Sequence, residues 1–196
     1  MKRAHFVLAA IGSLTIAAGS SPTAAADKAL GLFGKDPGNG KAYACFMRRY
    51  DKAHLAVHPK QNVVDMTLLV DSSVDGDAGR QYSLQIGVHF RRNKSMFQVS
   101  GGCGSYENSG DALNCGVDCD GGSINVQIRD ANSIRVLIPD GARTWDPASD
   151  GESDPPASAR FGSDDTVFRL DRTALSDCIP LAADDETKAA LNTPTE

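Results

Sequence analysis

Apolar residues recur at every second position over much of this chain, and that period limits the folds open to it. Tyr82, Leu84, Ile86, Val88 and Phe90 alternate with Ser83, Gln85, Gly87 and His89. In an extended strand successive side chains point to opposite faces, so this run predicts a strand with one buried and one wet face. Ile124, Val126 and Ile128 repeat the pattern, as do Ile134, Val136 and Ile138. Val63 to Val70, Met96 to Val99 and Val167 to Leu170 are shorter runs, and Tyr43 to Tyr50 reads as an opening strand. Asp75-Gly76-Asp77 and Asp130-Ala131-Asn132 supply connectors of hairpin type, and Gly101-Gly102 reads as the end of a run. Strands this closely spaced, with no crossover-length amphipathic helix between them, predict an antiparallel sheet. Such a sheet curls into a small sandwich or barrel, so the predicted fold class is all-β.

Three stretches depart from the period. Tyr50 to His58 fits one or two helical turns, stopped by Pro59. Trp145 to Asp165 is a long acidic loop whose prolines cannot enter a ladder, so it is expected exposed and mobile. Asp184 to Leu191 is compatible with a short helix in a tail spanning 181–196. Residues 27–42, rich in Gly and Lys without a sustained period, read as a flexible lead-in to a single β domain over 43–180.

The first 26 residues predict the compartment. Lys2 and Arg3 precede the apolar run Phe6 to Ala18, and Ala24-Ala25-Ala26 offers small residues to a signal peptidase. That is a secretory signal of the general type, cleaved after Ala26, with an apolar part too short for a spanning helix. The expected product is a periplasmic or secreted chain of 170 residues with no membrane span. Its 18 basic and 25 acidic residues give a net charge of −7. Residues 27–100 carry 11 basic against 7 acidic, and residues 101–196 carry 7 against 18. A net negative chain with few aromatics excludes nucleic acid as the expected partner.

Five cysteines, Cys45, Cys103, Cys115, Cys119 and Cys178, lie in the mature chain. In an oxidising compartment they pair, and five allow at most two bridges and fifteen connectivities. One arrangement joins Cys45 to Cys178, with a second bridge inside Cys103–Cys119. The same cluster read as a zinc or copper site offers only Cys115 and Cys119 at close spacing, so a disulfide is preferred there. Asp118, Asp120 and Gly121 suggest a calcium loop, but neither frame through them places ligands at all the required positions.

His54 and His58 share a helix face if the Tyr50–His58 segment is helical, with Asp51 one turn earlier. They are the metal candidates, although the residues between them lack the glutamate of zinc hydrolases. Ser100 lacks a nucleophile elbow, and Cys103 would need a base such as His89 brought close by folding. Arg48, Arg49, Lys52, Lys60, Arg91, Arg92 and Lys94 would form an anion patch if their strands were neighbours, while Arg169 and Arg172 are expected to pair with the acidic loop.

Taken together, Cys115-Gly-Val-Asp-Cys-Asp-Gly-Gly122, the segment Arg49 to Gln61 and Phe168-Arg-Leu-Asp-Arg172 resemble a family of uncharacterised exported bacterial proteins over roughly residues 45–178. The resemblance implies a compartment and no activity, cofactor or catalytic residue. No acid, base and nucleophile converge in the sequence, so no catalytic or cofactor-binding residue is assigned. The reading is a non-enzymatic binding or structural module, its partner an envelope component or small ligand. A metal-handling protein using His54, His58 and the unpaired cysteine is the alternative, and an envelope hydrolase assembled by folding is a third.

Overall fold

A computed structural model describes residues 29–104, 112–149 and 154–193. The expected signal (1–26), the middle of the acidic loop (150–153) and the last three residues lie outside the described residues. Among the described residues eight strands form: β1 (Ala42–Arg49), β2 (Val63–Val74), β3 (Arg80–Phe90), β4 (Met96–Cys103), β5 (Ala112–Val117), β6 (Ser123–Asp130), β7 (Ser133–Leu137) and β8 (Val167–Arg172). Each pairs antiparallel with the next, and β8 returns to β1, closing a barrel in sequence order. Of the sandwich and the barrel left open by the sequence, the chain forms the barrel.

The alternation sets which residues fill the interior. Leu84, Ile86, Val88 and Phe90 of β3 point inward, with Phe46, Met66, Leu68, Val99, Val126, Val136 and Leu170 from the other strands, all but inaccessible to solvent. Eight strands leave an interior that side chains can fill, and here they fill it. The seam between β1 and β8 is short, with Phe46 opposite Arg172 and Met47 opposite Asp171.

Both ends of the barrel are covered. At one end residues 29–33 form a helical turn, with Leu32 wholly buried in the core and Phe33 stacked on Tyr82 at 6.3 Å. Arg172 holds this turn in place. Its guanidinium lies 4.7 Å from the Phe46 ring centroid and donates to the carbonyls of Gly31 and Ala131. Arg80 fixes the chain that follows by donating to the carbonyls of Gly38 and Gly40. Residues 29–41, expected to belong to a flexible lead-in, are therefore packed as part of the domain, and β1 starts at Ala42.

The long loop between β7 and β8 covers the other end. Trp145 and Gln98 exchange both backbone hydrogen bonds, 2.8 and 2.9 Å, which extends the sheet beside β4. Ala159 joins the core, and Phe161 meets Phe90 and Phe168 edge-on. Asp165 is buried, and its carboxylate accepts from the backbone N–H groups of Gly162, Asn62 and Val63. A loop expected to lie exposed is thus anchored at Trp145, Ala159, Phe161 and Asp165. A lone acid can accept several backbone donors at once, which composition alone does not reveal.

On the outer face of β1–β3 sits a second apolar cluster under the turns Leu175–Leu181 and the helix Asp185–Leu191. Gly87 makes room for it: a Cβ there would lie 2.8 Å from both Leu181 Cδ2 and Met96 Sδ. Two disulfides are present, Cys45–Cys178 beneath these turns and Cys103–Cys115 directly across the β4–β5 ladder. Cys119 is free and exposed.

Candidate functional site

The turn from β5 into β6 shapes one rim of the barrel. Asp118 and Gly121 close it, with Gly121 N–H donating to the Asp118 carbonyl at 3.2 Å. The two central residues, Cys119 and Asp120, have φ of 57° and 55°. Positive φ at both centres matches the twist of a tight hairpin, and the residues that favour it are Gly, Asn and Asp, which leaves Cys119 the unfavourable member. A side chain with a β-carbon in this region costs energy, about 1 kcal/mol or more per residue. Gly121 must be glycine for packing reasons, since a Cβ there would lie 2.5 Å from Val117 Cγ1 and 2.8 Å from Arg143 Cβ.

Neighbouring groups hold the strained turn in place. Ser100 Oγ donates to Asp118 Oδ2 at 2.8 Å, and Asp118 N–H donates to the Ser100 carbonyl. Arg143 N–H donates to the Gly121 carbonyl at 2.8 Å, so the turn is stitched to the β7–β8 loop. Arg143 thereby stands between two concavities. One, about 280 Å³, lies among Ser100, Val117, Cys119, Thr144 and Trp145. The other, about 490 Å³, is bordered by Asp120, Asp140, Asp154, Arg160 and Phe161. The Arg143 guanidinium reaches Asp154 at 3.5 Å, and Trp145 leaves over a third of its surface exposed. The two concavities share Arg143 and Thr144, and an indole on one side with a second guanidinium and several carboxylates on the other can recognise a ligand carrying both signs of charge.

The residues singled out in the sequence mostly go elsewhere. The helix Lys52–Val57 does place His54 and His58 together, but as stacked rings 4.4 Å apart, with Tyr50 stacked on His54 from the other side. His54 Nε2 lies 3.0 Å from Gln61 Oε1, and Asp51 caps the helix by accepting from His54 N–H. Stacked imidazoles direct their ring nitrogens along parallel planes rather than toward one ion. Among the described residues no group of three or more His, Cys, Asp or Glu is placed to hold a metal.

Cys103 is bonded to Cys115 and so is not a free nucleophile, and His89 pairs with Asp65 at 2.7 Å near the far end of β3. Two of the seven basic residues expected to form a patch are committed elsewhere. Arg91 donates to the carbonyls of Leu55, His58 and Gln61, closing the C-terminal end of the short helix, while Arg48 pairs with Asp171. Arg169 also pairs with Asp171, and Arg172 is drawn under the barrel end. Arg143 takes the pairing with the acidic loop that Arg169 and Arg172 were expected to make.

Trp145 escaped sequence reasoning because it was read as the start of an exposed, mobile loop, and Arg143, just before it, was not singled out. The visible signal was Trp145 itself, the single tryptophan of the chain, placed beside a loop of acids. Fold and rim together define a disulfide-stapled, eight-stranded up-and-down barrel with a polar groove at one end. Comparison with protein-family models, with curated proteins and with solved structures finds no match to this chain.

Proposed function

We infer that the protein is an exported, non-enzymatic binding module whose working surface is the groove around Arg143, and that its ligand is small and zwitterionic. One observation carries this reading. The barrel interior is filled by side chains and covered at both ends, whereas two concavities meet at Arg143 on the rim. Concave surface with a few convergent polar groups and an aromatic is the usual form of a small-ligand site. Two disulfides fit an oxidising compartment, and the family resemblance adds the bacterial envelope. No helix among the described residues is long and apolar enough to cross a membrane.

Trp145 supplies the test. As the chain's single tryptophan, it makes intrinsic fluorescence a reporter of this groove alone. Dipeptides and amino-sugar peptides are titrated while emission is followed. The expected result is a saturable shift for zwitterionic probes, weakened at least tenfold in Arg143→Ala. Emission that stays unchanged with every probe, or an Arg143→Ala variant that responds like the wild type, overturns the assignment.

A further inference from the structure

Three arginines gather on the outer wall of the barrel, away from the groove. Arg135 of β7 stands directly opposite Arg169 of β8, and Arg129 lies on the adjoining strand β6. They border a small depression, about 130 Å³, together with Asp130 and Ser133. Like charges directly opposite on a sheet destabilise it, so the arrangement calls for an anion. Two carboxylates, Asp130, which feels the charge of Arg169, and Asp171, serve these three arginines and Arg48 as well. Asp130 accepts from Asn132 N–H at 2.9 Å and from Ser133 Oγ at 2.8 Å. Asp171 is shared between Arg48 at 3.2 Å and Arg169 at 3.3 Å. Arg129 and Arg135 form no salt bridge among the described residues. The molecule as a whole is acidic, with a formal net charge of −5 for the full sequence, so this patch opposes the sign of its surroundings.

We propose that the depression between Arg129, Arg135 and Arg169 binds a tetrahedral oxyanion, a phosphate or sulfate ester carried on a soluble ligand. A guanidinium offers paired donors that match two oxygens of such a group, and adjacent strands set neighbouring guanidiniums roughly 5 Å apart at their bases. The depression admits one such group and leaves the rest of the ligand on the open wall. Opposite Val167, itself half exposed, Leu137 provides a small apolar contact next along the same two strands.

The test uses inorganic phosphate as the probe, read by the Nε–Hε resonances of the arginine side chains. Phosphate should shift Arg129, Arg135 and Arg169 saturably, with a dissociation constant on the order of millimolar. The response should be stronger at pH 7.5 than at pH 5.5, because inorganic phosphate is mostly the dianion at the higher pH and the monoanion at the lower. In Arg135→Gln/Arg169→Gln the shift at Arg129 should fall at least tenfold, while Arg92→Gln, at the β3–β4 connection, should leave it intact. Equal shifts with chloride at matched ionic strength mean screening alone and overturn the proposal. So does binding to phosphatidylglycerol vesicles without any response to phosphate. The double variant should melt no lower than the wild type at low salt, since it removes a repulsion, which separates lost binding from lost folding.

Discussion

Asp165 shows how one side chain can determine the course of a loop. Its carboxylate receives the N–H groups of Gly162, Asn62 and Val63, while Asn62 donates through its amide to the carbonyls of Ser158 and Arg160. Replacing it with alanine leaves three backbone donors without an acceptor, and the expected cost is about 2–4 kcal/mol, measured by urea denaturation. Burial pushes the Asp165 carboxyl above the usual carboxylate range, against the opposing pull of those backbone donors. The fold therefore favours the protonated form. Its stabilising contribution is complete below the ordinary carboxylate value and is lost as pH rises through the raised one. Asp71, also raised by burial, adds a slope of the same sign. Asp130 and Asp184, held low by hydrogen bonds to Ser133 and Thr187, add slopes of the opposite sign, so the contribution of Asp165 is read as a difference: urea midpoints of Asp165→Asn should climb more steeply with pH than those of the wild type. A slope in Asp165→Asn that is equal to or shallower than that of the wild type would show the carboxylate to be the favoured form.

At the scale of elements, the legible strands were those with branched apolar residues at every second position. β3, β6 and β7 declare themselves this way, and the alternation alone identifies their inward residues. β5 was hidden because Leu113, Cys115 and Val117 alternate with Asn114 and Gly116 inside a cluster that reads as cysteine chemistry. Gly101-Gly102 looked like a stop and is instead strand interior. A Cβ at Gly101 would lie 2.2 Å from the Gly116 carbonyl oxygen, so glycine permits the close crossing of β4 and β5. The rim groove was illegible for a different reason. Its parts come from Ser100, the Cys119 turn and Arg143–Trp145, which only barrel closure brings together.

The disulfides belong to this scale too. Cys45–Cys178 closes a loop of 133 residues and Cys103–Cys115 one of 12. The chain-entropy argument assigns them about 5 and about 3 kcal/mol. Paired serine variants should therefore rank in that order, Cys45→Ser/Cys178→Ser losing more in chemical denaturation than Cys103→Ser/Cys115→Ser. The reverse order would mean that local geometry, not loop length, governs their effect.

The whole molecule is a packed cylinder. Phe46, Phe90, Phe97, Phe168 and Met66 occupy the space that wider barrels leave for a guest, and Leu32 and Phe161 lie across the two ends. Native protein should accordingly leave a fatty acid or an anilinonaphthalene dye unbound, with dye fluorescence rising only through the unfolding transition; saturable dye binding to the native state would show that the interior opens. Closure has a further consequence, one of timing. The ring joins its first strand to its last, through two residue pairs and the Cys45–Cys178 bond beside them. During synthesis β1 waits for β8, and every strand between them has emerged before the cylinder can shut. The cylinder stays unlocked until Val167–Arg172 is available, and the bond at the seam cannot form before Cys178 has emerged.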